Sequence, residues 1–243
     1  MDNEECTIKI TGIDPDNTWG YTLNAELTNK SSEKTYMFSV LSATINGVVC
    51  DPLFATEVTP GNKSNEEIIF YNSAFEENGI TEYTDIELTF SVFDSNDWLA
   101  DAVAQTTFHV YPYGEDKATT FVREAQPTDT ILVDNDKLTA IVTGYEMDEI
   151  WGYTVNLFLV NKTDVEIIFS VENASINGYM ADPFYATSVP AGKCAFSSMS
   201  WSDSTFAENG ITDVEEIQFT LTAYDAQNWS GDAFANEAIV LQP

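Results

Sequence analysis

The side chains best suited to binding chemistry cluster in one loop near the end of each half of the chain. The first loop carries Asp94, Asn96, Asp97, Trp98 and Asp101, and the second carries Asp225, Gln227, Asn228, Trp229 and Asp232. Carboxylate and amide oxygens are the ligands that Ca²⁺ takes. An exposed indole beside a carboxylate suits a sugar ring, which is apolar on its face and hydroxylated at its edge. The loops are therefore candidates for a calcium site and for a ligand-binding site.

Two sets of residues follow from this chemistry. The candidate metal ligands are Asp94, Asp97, Asp101, Asp225 and Asp232, and the candidate ligand-binding residues are Trp98, Asp101, Trp229 and Asp232. The acidic spacing does not match the EF-hand loop, so we favour a solvated acidic turn over a calcium site. For the two indoles we favour a packed position that closes the open end of the fold, beside Ala102 and Ala233. No cofactor is expected, and calcium remains the alternative.

Catalytic residues are scarce. His109 is the sole imidazole, and it alternates with Phe108 and Val110, which places it on the solvent face of a strand. The second half of the chain has Val240 at that position. Zinc sites and phosphate-binding glycine loops have no motif. A hydrolase that uses two carboxylates is the lowest-ranked alternative, because acid pairs in an acidic chain carry no signal without geometry. The sequence predicts a non-enzyme.

The charge of the chain excludes several partners. Its 243 residues contain 40 acidic and 9 basic side chains, for a formal net charge of −31. Phosphate backbones and anionic lipid headgroups would be repelled, so we expect no nucleic-acid partner. The hydrophobic fraction of 44% is nevertheless that of a folded protein with a core. No apolar run is long enough to span a bilayer, so no membrane insertion is expected.

The elements that position these loops come from an internal repeat. Six segments recur in the same order: Trp19-Gly20-Tyr21-Thr22 as Trp151-Gly152-Tyr153-Thr154, Asn29-Lys30 as Asn161-Lys162, Ile45-Asn46-Gly47 as Ile176-Asn177-Gly178, Asp51-Pro52 as Asp182-Pro183, Glu77-Asn78-Gly79-Ile80-Thr81 as Glu208-Asn209-Gly210-Ile211-Thr212, and Trp98 with Asp101 as Trp229 with Asp232. About two in five aligned positions are identical. The sequence therefore predicts two homologous domains.

The predicted domains are residues 1–112 and 134–243, joined by a connector at 113–133. The connector ends in an apolar stretch, 128–133, that predicts a short strand joining the second domain. The first domain has no counterpart of this strand, since the matching residues would precede Met1. We therefore expect the native chain to extend upstream, with a signal or anchor segment.

Within each half, apolar residues alternate with period two, which is typical of half-buried strands. The alternation places Trp19 and Trp151 in the core, in phase with the strands that follow them, and Trp201 in the core in place of Phe70. The Asn46-Gly47 and Asn177-Gly178 pairs predict tight hairpin turns. Residues 72–79 and 204–210 each predict one short helix. The predicted fold is all-β, a tandem of two antiparallel β-sandwiches.

These motifs resemble a known class of domain. A Trp-Gly-Tyr strand ending in Asn-Lys-Ser or Asn-Lys-Thr, an Ile-Asn-Gly hairpin, an Asp-Pro and a late Asn-Gly-Ile turn are similar to the immunoglobulin-like (telokin-like) β-sandwich domains of surface proteins and lipoproteins from Gram-positive anaerobes. The resemblance covers both copies. It implies a bacterial, secreted or surface-anchored location and a role as spacer, adhesin or ligand binder. The Cys, Trp, Cys spacing of antibody domains is absent.

The three cysteines predict packing rather than cross-linking. Cys6, Cys50 and Cys194 are an odd number, and none aligns with another across the repeat. Cys6 is in phase with buried positions, so we favour a free buried thiol, with a Cys6–Cys50 disulfide as the alternative. The triplet Asn29-Lys30-Ser31 is an N-glycosylation motif, which matters only in a eukaryotic secretory host.

Taken together, the sequence predicts a non-catalytic, extracytoplasmic tandem immunoglobulin-like module that acts as a binding, spacer or adhesion unit at the cell surface. We expect a monomer whose partner is a protein or a glycan. The alternative is a carbohydrate-binding or calcium-dependent adhesion module that uses the end loops with Trp98 and Trp229.

Overall fold

Antiparallel strands make up most of both halves of the chain. A computed structural model describes residues 1–71, 73–76, 78–97 and 99–243, with the backbone alone at Ser73 and Ala74. The chain divides into two compact units, Met1–Phe121 and Val122–Pro243. The boundary after Phe121 falls inside the predicted connector, so each unit takes up part of that segment.

The first unit contains two antiparallel sheets. Its elements are β1 (Cys6–Asp14), β2 (Tyr21–Asn29), β3 (Tyr36–Ile45), β4 (Val48–Cys50), β5 (Ala55–Val58), β6 (Lys63–Phe70), α1 (Ser73–Glu76), β7 (Ile86–Asp94) and β8 (Ala104–Val110), followed by a 3₁₀ turn at Glu115–Lys117. One sheet has the order β1-β2-β6. The other has the order β8-β7-β3, and both β4 and β5 pair with β3.

The second unit repeats this strand order. Its elements are β9 (Thr130–Asp134), β10 (Leu138–Asp148), β11 (Gly152–Asn161), β12 (Ile167–Ile176), β13 (Tyr179–Met180), β14 (Thr187–Val189), β15 (Cys194–Trp201), α2 (Asp203–Asn209), β16 (Ile217–Asp225) and β17 (Ala235–Leu241). One sheet runs β9-β10-β11-β15, and the other runs β13-β12-β16-β17, with β14 paired to β12. The predicted strand at the end of the connector is β9, which pairs with β10.

The predicted alternation is confirmed within the strands. On β7, Ile86, Leu88 and Phe90 are fully buried, and on β16 the matching Ile217, Phe219 and Leu221 are buried as well. Successive side chains on a strand point to opposite faces, so each sheet presents one apolar face to the core. Trp201 and Phe70 are buried at equivalent positions, as predicted.

The predicted turns and short helices are also confirmed. Asn46 and Gly47 both have positive φ, and so do Asn177 and Gly178, which is the geometry of a two-residue hairpin turn. The helix α2 ends at Gly210, whose left-handed conformation lets its N–H reach the last carbonyls. Its counterpart α1 covers four residues, and two residues of the predicted segment, Asn72 and Glu77, lie outside the described residues.

The predicted core position of two indoles is wrong. Trp19 is 70% exposed and Trp151 is 54% exposed. The reason is the glycine that follows each indole. Gly20 and Gly152 have φ values of 137° and 78°, so the extended backbone, and with it the period of two, begins only after the glycine. The indole therefore leaves the strand on the side of the solvent.

All three cysteines are free thiols, which contradicts the alternative of a Cys6–Cys50 disulfide. Cys6 is fully buried at the start of β1, as its phase with Ile8 predicted. Within the described part of the chain, no helix combines the length and the apolar character that a membrane crossing needs.

Candidate functional site

An open groove in the second unit brings aromatic and polar side chains together. It has a volume of about 490 Å³, which is within the usual range for ligand pockets. Its lining residues are Ile150, Trp151, Asp182, Pro183, Phe184, Ser200, Trp201, Ser202 and Thr205. They come from the β10–β11 loop, the segment after β13, the end of β15 and the start of α2, so four separate parts of the sequence meet here.

Two aromatic rings form the exposed wall of the groove. The rings of Trp151 and Phe184 lie nearly parallel, with their centroids 5.7 Å apart and an angle of 12° between the planes. Phe184 is 76% exposed, more than Trp151. Beneath them, Trp201 and Ser200 are buried. The result is a stacked pair of exposed aromatic rings above a buried floor.

The position of Trp151 is set by its loop. One carboxylate oxygen of Asp148 accepts hydrogen bonds from the backbone N–H groups of Ile150 and Trp151, at 2.7 and 2.8 Å. These two donors favour the charged form, so they lower the pKa of Asp148. Gly152 then turns the chain into β11. The indole is therefore held by backbone geometry rather than by burial.

Phe184 is held from the opposite side. Its N–H donates to the carbonyl of Ser200 at 2.7 Å, and the N–H of Ser200 donates back at 3.3 Å. This bridge ties the segment after β13 to the edge of β15. The Trp201 indole N–H donates to the carbonyl of Ala181 at 2.8 Å and fixes the same segment a second time. The backbone that carries both rings is thus fixed by hydrogen bonds.

The polar groups of the groove are hydroxyls and one carboxylate. Asp182 is exposed, and Ser202 and Thr205 stand at the start of α2. The Ser202 hydroxyl lies 3.2 Å from that of Thr205. None of the lining residues is basic. The groove therefore combines an apolar face with hydrogen-bonding groups and negative charge.

The first unit has different side chains at the same positions of the repeat. Trp19 corresponds to Trp151, but Leu53 stands in place of Phe184 and Tyr71 in place of Ser202. All three are exposed. Because Leu53 has no ring, the pair of stacked aromatic rings belongs to the second unit.

The end loops hold exposed side chains. Trp229 is 78% exposed, so it does not fold back over the end of its unit. Asp101 and Asp232 are exposed too. Trp98, the equivalent candidate residue in the first half of the chain, lies outside the described residues. The exposure of Trp229 fits a contact role, whereas the packed position that we favoured for it is wrong.

The acids of these loops shape turns. Asp94 accepts the N–H of Asn96 at 3.0 Å and pairs with Lys34 at 3.4 Å, and Asp225 accepts the N–H of Gln227 at 2.8 Å. Both Asp94 contacts favour its charged form and lower its pKa. Asp97 is exposed beside them. Across the described residues, no three acidic, His or Cys side chains are grouped so as to hold a metal ion. The calcium site stays a prediction, which a rise in melting temperature with Ca²⁺ and a fall with chelator would support.

His109 lies on the solvent face of β8, as predicted. Its Nδ1 is 2.6 Å from an Asp85 carboxylate oxygen, and its Nε2 is 3.2 Å from one of Glu87. Its ring stacks on Tyr111. The imidazole bridges two carboxylates and has no serine or cysteine among these contacts.

Sequence reasoning missed the aromatic groove. Trp151 was assigned to the core from its phase, and Phe184 was not singled out at all. A signal was present in the glycine at 152, because a glycine at the start of a strand marks a break in the extended backbone. The approach of the Phe184 segment to β15 is a tertiary contact that no local pattern encodes.

Comparisons with known proteins give no family. No protein-family model and no curated protein matches the chain. Among solved structures, it is similar to red sea bream transglutaminase (TM-score 0.30, 10% identity, 99% of this chain and 31% of that one). It is also similar to the YadV chaperone, with a TM-score of 0.27 and 11% identity over 98% of this chain and 100% of that one. A third similar structure is Amycolatopsis orientalis exo-chitosanase CsxA, with a TM-score of 0.27 and 9% identity over 99% of this chain and 27% of that one. The chain thus spans about a third of the transglutaminase and less of the chitosanase.

Proposed function

We propose that the chain is a non-catalytic, extracytoplasmic binding module built from two immunoglobulin-like units. The observation that carries this proposal is the set of indoles that loops hold in solvent, Trp19, Trp151 and Trp229. Large apolar side chains cost free energy when they stay in water, and they supply most of the energy at contact sites. Loops on a rigid β scaffold are a common place for such contacts.

The protonation of the three cysteine thiols and the contacts of the single histidine support a non-catalytic role. Burial raises the pKa of Cys6 and of Cys194 to about 11, and it raises the pKa of Cys50 further. A thiol with such a pKa is protonated at neutral pH, whereas a reactive cysteine needs a lowered pKa. His109, the sole imidazole of the chain, is paired with two carboxylates.

The binding role is tested on an array of immobilised bacterial and plant glycans, with the full chain as the probe. We expect binding by the wild type and a reduced signal for a triple variant that lacks the exposed indoles, Trp19→Ala/Trp151→Ala/Trp229→Ala. Circular dichroism of the variant checks that it is folded. Equal binding by the variant and the wild type would contradict the role of the indoles, and no binding by either would favour a spacer.

A second candidate is the carbohydrate-binding or adhesion module that uses the end loops. The exposure of Trp229 beside the exposed Asp232 favours it. The double variant Trp98→Ala/Trp229→Ala on the same array isolates this site. Loss of the signal in that variant, with binding retained in Trp19→Ala/Trp151→Ala, would assign binding to the end loops.

A further inference from the structure

We propose that the groove of the second unit binds a pyranose that carries a protonated amine, as part of an amino-sugar glycan. This inference rests on the proposed binding function and names its ligand and its site. The site consists of the Trp151 and Phe184 rings, the Asp182 carboxylate and the hydroxyls of Ser202 and Thr205.

The aromatic wall matches the face of a sugar ring. A pyranose presents several C–H groups on one side, and the flat surface of an aromatic ring excludes water from them. The Trp151 and Phe184 rings stack on each other, so each supports the other while the part of each ring that the stack leaves exposed is available to a sugar. Because hydrogen bonds already fix the backbone at both rings, binding does not have to order these loop segments.

The rim matches the edge of the sugar. A hydroxyl both donates and accepts hydrogen bonds, as the Ser202 and Thr205 side chains do, and a carboxylate accepts from sugar hydroxyls or from an amine. These groups lie on the same groove as the rings, so one ligand reaches both kinds of surface. A purely apolar ligand would make no hydrogen bond with the Asp182 carboxylate, whereas a sugar does.

Charge selects among sugars. Asp182 lines the groove, Asp148 shapes the loop beneath Trp151, and no basic residue lines the site. The chain as a whole has a formal net charge of −31. Uronates, sialylated sugars and phosphorylated sugars would be repelled, whereas a protonated amine would be attracted. Among pyranoses, an amino sugar is therefore the ligand with complementary charge.

The test is isothermal titration of the full chain with three hexamers of equal length, made of glucosamine, N-acetylglucosamine and galacturonic acid. We expect the glucosamine hexamer to bind most tightly and the galacturonate hexamer not to bind. Binding of glucosamine is expected to weaken as NaCl rises, because the charge contribution is screened. Tighter binding of galacturonate, or no binding of glucosamine, would overturn the proposal.

Variants locate the site. We expect Trp151→Ala to weaken glucosamine binding at least tenfold. Phe184→Leu, which installs the residue of the first unit, is expected to weaken it less. Asp182→Asn is expected to reduce the preference for glucosamine over N-acetylglucosamine. Tyr179→Ala is the control, an exposed aromatic side chain of the second unit that does not line the groove, and is expected to leave the affinity unchanged. A melting curve for each variant confirms that the unit is folded.

The outcomes separate this inference from the proposed function. Binding that persists in Trp151→Ala and disappears in Trp229→Ala would reject the groove while the chain remains a binding module. Binding of array glycans without binding of glucosamine would reject the ligand class alone. An absence of binding to every glycan, on the array and in titration, would reject both.

Discussion

Two buried asparagines show what single residues contribute to this fold. Asn161 closes β11, and its side-chain N–H groups donate to the carbonyls of Val165, Val189 and Pro190 at 2.7, 2.8 and 3.1 Å. Asn29 is its counterpart and donates to the carbonyls of Lys34 and Val58, both at 2.7 Å. Each amide joins the end of one sheet to a strand end of the other sheet and to the loops beside it. Asn29 is the acceptor residue of the N-glycosylation motif Asn29-Lys30-Ser31. Since its side chain is fully buried, the asparagine has a structural role in the folded unit.

We expect Asn161→Ala to destabilise the second unit by about 2–4 kcal/mol, because one buried and two partly buried carbonyls would lose this donor. Urea unfolding measures the loss. The control is Asn156→Ala, whose amide bonds one exposed carboxylate, that of Glu146, and we expect it to cost about 0.5 kcal/mol or less. Equal losses for the two variants would show that the Asn161 amide contributes no more than a surface side chain.

Arg123 and Asp129 form an ion pair with two hydrogen bonds at the start of the second unit. Two guanidinium nitrogens donate to the two oxygens of Asp129 at 2.7 and 2.8 Å, and both side chains are largely buried. The guanidinium also lies 5.7 Å from the ring centroid of Phe158. Hydrogen bonds from Arg123, the largest cause, lower the pKa of Asp129.

The lowered pKa of Asp129 predicts a pH-dependent stability. The pKa of Asp129 is lower in the folded state than in the unfolded state. The ion pair with Arg123 therefore stabilises the folded state above about pH 4, the ordinary pKa of aspartate, and this stabilisation is lost as the pH falls through the pKa of the folded state. We expect Asp129→Asn to cost about 1–3 kcal/mol at pH 7 and progressively less below pH 4. Melting curves between pH 2 and 7 measure this. Asp136→Asn, in an exposed pair with Lys137, serves as the control, and a cost for Asp129→Asn that is the same at every pH would contradict the prediction.

At the scale of elements, the entry into β11 depends on a glycine. Gly152 has a φ of 78°, and a Cβ there would collide with the carbonyl oxygen of Trp201 on the neighbouring β15. Gly192, in the turn before β15, has a φ of 67° but open space around it. The two positions share the left-handed backbone and differ in the close approach of a second strand.

This difference gives a matched pair of substitutions. We expect Gly192→Ala to cost about 1 kcal/mol, from the left-handed conformation alone, and Gly152→Ala to cost at least about twice as much. Chemical denaturation of both variants provides the comparison. Similar costs would mean that β11 and β15 separate without penalty.

The glycines at the entries to β2 and β11, Gly20 and Gly152, show which features the sequence did not predict. The alternation on β7 and β16, the Asn-Gly turns and the strand β9 are local patterns, and the sequence predicted all of them. The exposure of Trp19 and Trp151 was not predicted, because the phase argument ran through a glycine whose φ is not extended. The Trp151–Phe184 pair depends on a bridge between residues 184 and 200, which no period of the sequence specifies.

At the scale of the whole molecule, the acidic charge is spread over the surface of both units. Many of the few cations are used in ion pairs, such as Lys30 with Asp2 and Lys162 with Asp134 in equivalent places of the repeat. These pairs are exposed, and such pairs contribute little. The remaining carboxylates repel one another more strongly in the folded chain than in the expanded unfolded chain.

This repulsion predicts that salt stabilises the protein. Raising NaCl from 10 to 300 mM shortens the screening length from about 30 Å to less than 8 Å, so the repulsion between surface carboxylates weakens. We expect the melting temperature at pH 7 to rise by roughly 3–6 °C, which is about 1 kcal/mol for a unit of this size. Near pH 4, close to the isoelectric point of about 4.1, the net charge vanishes and the salt effect should disappear. A melting temperature that falls with salt at pH 7 would show that the ion pairs outweigh the repulsion, and one that rises equally at both pH values would show that the salt acts through apolar burial instead.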